Sequence, residues 1–276
     1  IAENPERLSS FLCARLPNHS KLTVLRSIRY QHCRINGSIE RFESYKVQPG
    51  DRVAISIVHN QQQPSLLWED AHSCIYDKPP YLTTEEIAKT LGRNLVHRLD
   101  RDTTGCLLFA KTQDAMQKLS DLFKQRNIHK QYITLVFGHP KQCSGTLTTF
   151  TAPKYKRCGA VLFGTTTPSQ GKLTITKWTV LQSYKHYSLL LCEPITGRTH
   201  QIRLHMKHLG HPIVGDIDYG SKQQPKGVFR PLLHAHSLKF VSPFSGETIH
   251  VTASSKKNPR VLAAHLLKYY TLMSAS

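Results

Sequence analysis

The sequence predicts an α+β protein in which strands take the larger share of the chain. Three observations carry this. Short apolar runs bounded by turn residues recur from residue 67 onward, whereas apolar residues at helical spacing are confined to a few segments. The run Cys106-Leu107-Leu108-Phe109-Ala110 is apolar throughout and reads as a buried strand. Residues 59–66, His-Asn-Gln-Gln-Gln-Pro-Ser-Leu, are low in complexity and read as an exposed linker. That linker divides a small basic module over 1–58 from a main domain over 67–276.

In the module, Leu8, Phe11, Leu12 and Leu16 recur at helical spacing until Pro17 ends the pattern. Ser20 caps a second helix that turns Leu22, Leu25 and Ile28 inward. The other face carries Lys21, Arg26 and Arg29, with Arg34 just beyond. Ile35-Asn36-Gly37-Ser38-Ile39 predicts a tight hairpin, because Asn-Gly tolerates positive φ. Val47-Gln48-Pro49-Gly50-Asp51 is a turn, and Arg52–Val58 alternates as a strand. The four basic residues either solvate a helix or meet a phosphate backbone. Ser20-Lys21, Arg34-Ile35-Asn36-Gly37 and Pro49-Gly50-Asp51-Arg52-Val53, in this order, resemble the S4 RNA-binding domain. The resemblance implies that Lys21, Arg26, Arg29 and Arg34 contact RNA.

The main domain begins with strand ends at Leu67–Asp70 and Ser73–Asp77, followed by the extended loop Lys78-Pro79-Pro80-Tyr81. A dense polar run, His97-Arg98-Leu99-Asp100-Arg101-Asp102-Thr103-Thr104-Gly105, then precedes the buried strand. Charges this close to a core mark a loop at its rim, either a salt-bridged turn or a site. Asp114–Asn127 predicts a helix with Met116, Leu119, Leu122 and Phe123 on one face, and Ile128–Gly138 a strand with Tyr132 near its start. Gly145–Gly171, rich in Thr, Lys and Gly, reads as surface loops and short edge strands. Firm strands follow at Thr176–Gln182 and Tyr187–Cys192. Gly197 and Gly210 bracket a helix with Ile202, His205, Met206 and Leu209 on one face. Arg203 lies beside that face, able to aim its planar fork at a carboxylate. His234–Phe240 and Thr248–Val251 form a hairpin, and Asn258–Tyr270 a C-terminal helix.

Charge narrows the function classes. The 276 residues hold 37 Lys and Arg against 18 acids, a formal net charge of +19, which favours a polyanionic partner. No basic amphipathic helix with an aromatic face stands out, so RNA is expected and a membrane is not. No apolar run is long enough to cross a bilayer, and Ile1–Glu6 carries no secretory pattern, so the expected location is cytoplasmic. The seven cysteines are odd in number and none is at metal spacing, which argues for reduced thiols. His205, His208 and His211 invite a metal, but only Asp216 stands near enough to support one, so none is expected.

His97-Arg98-Leu99-Asp100 with Thr103-Thr104-Gly105 and Ala110-Lys111-Thr112 resembles the signature of the RluA family of pseudouridine synthases. The likeness continues through Lys78-Pro79-Pro80, Lys130-Gln131-Tyr132, Gly197–His205, Val214-Gly215-Asp216, Asp218-Tyr219-Gly220 and His234-Ala235. Cys106 and Thr104 replace the family's usual leucine and serine. The resemblance implies a mixed, mainly antiparallel sheet with flanking helices around an RNA-binding cleft, acting without cofactor or metal as a monomer with no obligate protein partner. It implies isomerisation of uridine within RNA, ribosomal RNA of the large subunit first and tRNA as the alternative. Asp100 is then the essential carboxylate, Arg203 its ion-pair partner, and Tyr132 the ring beside the uracil. Arg98, Lys78, Arg198 and His200 are expected to touch RNA, and Asp102 to be structural, since two ionised acids in one pocket repel.

Two other classes fit parts of the pattern. A non-catalytic RNA-binding protein predicts salt-sensitive binding and unchanged RNA. A metal-dependent nuclease built on Asp100, Asp102, Asp216 and Asp218 predicts chelator inhibition and chain cleavage.

Overall fold

The computed structural model describes residues 4–29, 31–57, 63–157, 160–220, 224, 225, 228, 230–253 and 261. Most of the C-terminal helix expected over 258–270 lies outside these residues, as does the first part of the expected linker.

The N-terminal module runs β1 (Glu6–Arg7), α1 (Leu8–Arg15), α2 (Lys21–Arg29), β2 (Cys33–Ile35), β3 (Ser38–Glu40), β4 (Lys46–Val47) and β5 (Val53–Ile55). Ser20 Oγ accepts from the Thr23 amide at 3.2 Å, the cap its position predicts for α2. Asn36 and Gly37 take φ +50° and +83° in the β2–β3 hairpin. Asn36 also accepts from the Arg52 amide at 2.9 Å and donates to Asp51 at 2.7 Å, tying hairpin to turn. Leu8, Phe11, Leu12, Val24 and Ile28 from the helices meet Cys33, Ile35 and Val47 in a core of their own. The last strand is shorter than the alternation over 52–58 predicts.

The rest of the described chain forms β6 (Ser65–Glu69), β7 (Ser73–Lys78), α3 (Thr84–Leu91), β8 (Asn94–Leu95), β9 (Thr104–Ala110), α4 (Gln113–Lys124), β10 (His129–Phe137), β11 (Ser144–Arg157), β12 (Ala160–Thr166), β13 (Lys172–Ser183), β14 (Tyr187–Pro194), α5 (Gln201–His208), β15 (Leu233–Val241) and β16 (Thr248–Thr252). The strands make one mixed sheet in the order β12-β11-β13-β14-β10-β15-β9-β7-β6, with β16 on β15 and β8 on β9. Every pairing in it is antiparallel except β9 with β15. Among the described residues no helix is long and apolar enough to cross a membrane.

Two expectations are corrected. Gly145–Gly171 is not an excursion of loops: β11 and β12 form a long hairpin that extends the sheet. Its buried face includes Thr149 and Thr151 beside Leu162, so it lacks the apolar alternation that marks a strand in sequence. Ser65 and Leu66, placed in the linker by composition, already pair with Asp77 and Tyr76.

Helices cover both faces of the centre. Ala115 and Leu119 of α4 pack on Cys106, Leu108 and Ala110, while Ile87 and Ala88 of α3 pack with Leu107 and Phe109. Both faces of β9 are therefore buried, which explains its unbroken apolar run. Fully burying each of Leu107, Leu108 and Phe109 contributes about 1.5–3 kcal/mol. α3 starts with a capping box from Thr83 and Glu86 and stops at Gly92 in the left-handed conformation. Ile202 and Met206 of α5 pack on Trp178, Leu190 and Cys192. The loop 97–103 thus leaves the core between α3 and α5.

Candidate active site

Asp100 sits in this loop, on a cleft of about 710 Å³ between the α3 side and the start of α5. Its side chain is 25% exposed. The backbone around it is held from below. Leu99 both donates to and accepts from the Thr84 hydroxyl, at 3.2 and 3.1 Å, and the Thr103 amide donates to the Asp100 carbonyl at 3.0 Å.

Lys78 fastens the same loop, and here the expectation of RNA contact is wrong. The side chain is 0% exposed, and its ammonium donates to the carbonyls of Pro79, Arg101 and Thr103 at 2.9, 2.7 and 3.0 Å. All three of its donors are used on backbone, so it cannot reach a ligand. Burial pulls its pKa down to about 7, a fall that Asp102 resists.

Arg203 stands against Asp100, but its hydrogen bonds go to other acids. Its Nε and Nη2 donate to the two oxygens of Asp216 at 2.7 and 2.8 Å, and Nη2 also donates to Asp218 at 2.7 Å. Asp100 stands 3.8 Å from Nη1, an ion pair without a hydrogen bond. The planar fork matches a carboxylate two bonds at a time, and the turn after α5 offers Asp216 in that geometry. Burial opposes the charge of Arg203, but Asp216, Asp218 and Asp100 outweigh it and raise its pKa well above the ordinary value.

Behind this pair lies a buried ion network. Arg101 Nε donates to Asp102 at 3.0 Å, and Arg41 Nη1 to the same carboxylate at 3.3 Å. Arg41 Nη2 lies 2.6 Å from both oxygens of Asp218. Burial works to raise the pKa of Asp102 and Asp218, yet the arginines beside them hold both below the ordinary carboxylate value. Asp102 is 4% exposed and faces these arginines, in keeping with a structural assignment.

Tyr132 lines the cleft from β10. Burial first, and then the Asp100 charge, push its phenol well above the ordinary tyrosine pKa, so the hydroxyl keeps its proton. Lys130, two residues earlier on the same strand, lines the cleft too, and burial with the nearby Arg126 draws its pKa down to about 8. Strand periodicity puts Lys130 and Tyr132 on one face, a signal that the sequence reading left unused. His200 caps α5 at φ +56° and pairs its Nδ1 with the Tyr219 hydroxyl at 2.7 Å, and Arg198 is exposed beside it at the rim. Arg98 is exposed on the opposite rim, bonded to Glu85 at 3.0 Å. Arg101, Lys124 and Arg126 add to a basic lining in which Glu85 and Asp100 are the acids.

Lys21 and Arg29 are exposed and Arg26 is half-buried on α2, outside the cleft, and Arg29 pairs with Glu43 at 3.0 Å. Arg34 donates to the Gly37 carbonyl at 2.9 Å. His205 is buried in the core, its Nε2 meeting the Thr149 and Thr174 hydroxyls at 3.0 and 3.2 Å. Among the described residues no three His, Cys, Asp or Glu side chains converge to hold a metal.

Residues 72–208 match the RNA pseudouridylate synthase family. The chain is 30% identical to the ribosomal large subunit pseudouridine synthase C of Pasteurella multocida, over 91% of this chain and 87% of that one. The chain belongs to the RNA pseudouridylate synthase family. The corresponding synthase of Haemophilus influenzae is 31% identical over 91% of this chain and 88% of its own. Among solved structures, human RNA pseudouridylate synthase domain containing 1 is 27% identical, with a TM-score of 0.62 over 74% of this chain and 89% of that one. The synthase is therefore an isomerase, and its mixed, mainly antiparallel sheet is that of its family.

Proposed function

We propose that this pseudouridine synthase acts on uridines of large-subunit ribosomal RNA, with Asp100 as the essential carboxylate and the N-terminal module as an S4-like RNA anchor. The names of the relatives support the substrate class. The observation that carries the site is Asp100 itself: a carboxylate on the cleft, 3.8 Å from a buried arginine, among mainly basic walls.

The reaction breaks the C1′–N1 bond, turns the base and forms C1′–C5. It has no net redox change. A uridine in structured RNA must leave its stack to reach Asp100, at a cost of a few kcal/mol. Arg98, Arg198 and Lys130 stand where they can hold phosphates or the vacated stack. Asp100 acts at the sugar, as nucleophile at C1′ or as base toward the C2′ proton. The Arg203 charge favours its ionised form, and Tyr132 stacks on the uracil with a protonated hydroxyl ready to donate.

The test maps pseudouridines in total RNA incubated with the wild type and with Asp100→Asn. The wild type is expected to add pseudouridine to large-subunit RNA, and Asp100→Asn to bind RNA normally while forming none. An active asparagine variant would remove Asp100 from its role.

A further inference from the structure

Arg41 belongs to the N-terminal module, yet its guanidinium lies in the wall behind Asp100. It bridges Asp102 and Asp218, whose side chains are 6% and 0% exposed, and is itself only 10% exposed. Gln31 of the same module, held at φ +63° and 0% exposed, donates to the same Asp102 oxygen at 3.3 Å. His32 meets the Tyr81 ring edge-on, with centroids 6.5 Å apart. Arg41 Nε and Gln31 Oε1 are buried there without hydrogen-bond partners, which makes the contact costly if its only purpose is stability.

Charge counting shows what the contact does. Asp102, Asp216 and Asp218 are matched by Arg101, Arg203 and Arg41. With all three pairs made, Nη1 of Arg203 is left facing Asp100. Without Arg41, Arg203 is the arginine left hydrogen-bonded to Asp218, and Arg101 the arginine left hydrogen-bonded to Asp102. Asp218 and Asp216 then draw the Arg203 fork toward themselves and away from Asp100.

We propose that Arg41 is a positioning residue: seated between Asp102 and Asp218, it sets Arg203 against Asp100 and makes the isomerisation rate depend on docking of the N-terminal module. The proposal rests on Asp100 being the essential carboxylate.

The test uses full-length Arg41→Gln, Arg41→Lys, Asp102→Asn and the double variant Arg41→Gln/Asp102→Asn, with an RNA stem-loop that the wild type modifies. Single-turnover rates at saturating enzyme separate the chemical step from binding. Arg41→Gln is expected to slow that step about 10–100-fold, as misplacement of a catalytic group does, with a much smaller change in Kd. Arg41→Lys restores part of the rate, and Asp102→Asn regains part of it by removing one orphaned charge. A raised Kd with an unchanged saturated rate, or a double variant as slow as the single product predicts, overturns the proposal. If Arg41→Gln melts below the assay temperature, Gln31→Ala takes its place, and an unchanged saturated rate there overturns it equally. A wild type that forms no pseudouridine in any RNA refutes the functional reading instead.

Discussion

Gly105 closes the loop that presents Asp100, and Gly105→Ala is the substitution with the most direct structural arithmetic. Gly105 has φ +106°, a conformation that side chains rarely adopt. It also lies opposite Ala235 in the parallel β9–β15 pairing. A Cβ there would run into the Ala235 carbonyl oxygen and stand 2.8 and 2.9 Å from the Ala235 carbonyl carbon and amide nitrogen. All three neighbours are backbone, so none can swing aside. Backbone strain costs about 1–2 kcal/mol, and forced separation in a packed core about 1–3 kcal/mol. Together the loss is about 2–5 kcal/mol, a large part of the ~5–15 kcal/mol that holds a domain together. At roughly 2–4 °C per kcal/mol the midpoint falls by about 4–20 °C. Thermal unfolding followed by circular dichroism reads this directly. Single-turnover assays below the new midpoint are expected to show slower chemistry, because Thr103, two residues before Gly105, holds the Asp100 carbonyl through its amide. A midpoint within about a degree of wild type would refute the reasoning.

Arg203→Lys keeps the charge but loses the paired bonds to Asp216 and the bond to Asp218, leaving buried carboxylates short of donors; a stability loss of about 3–5 kcal/mol and severely impaired turnover are expected in urea titration and single-turnover assays. A lysine variant with wild-type turnover would contradict this. Stability is expected to fall as pH drops from 6.5 toward 4. His205 and His234 are 0% exposed and burial lowers both to about 4, so the unfolded chain takes up protons below 6.5 that the folded chain refuses. Asp102 and Asp218, held low, add their own loss only as pH nears and passes below 3.8. Urea midpoints at pH 7 and 4.5 check this, and equal midpoints would exclude it. Lys21→Gln with Arg26→Gln is expected to raise KM for RNA about three- to tenfold and reduce the salt slope of binding, with kcat unchanged. An unaltered KM would remove α2 from the RNA contact.

Sequence pattern alone was enough for what depends on neighbours along the chain. Asn36-Gly37 tolerates the left-handed backbone wherever it is placed, Ser20 caps whatever helix follows it, and Leu107–Phe109 is too apolar to be anything but buried. The motif that precedes that run singles out Asp100 as the candidate carboxylate, and the fold sets it on the cleft. The partners of charged side chains belong to another class, because Coulomb and hydrogen-bond energies depend on distances that only folding creates. Lys78, read as an RNA contact, turned inward because β7 ends beneath the carbonyls of Pro79, Arg101 and Thr103. Arg203 took Asp216 and Asp218 in preference to Asp100 because the turn after α5 lies across its fork. The β11–β12 hairpin escaped notice because threonine and lysine pair well across strands without the apolar rhythm that marks a buried face. Arg41, sixty-one positions from Asp102 and 177 from Asp218, carried no local sign of its role. A buried network of alternating charge is satisfied only as a whole, so tertiary structure alone decided that Arg41 joins Asp102 to Asp218 behind Arg203.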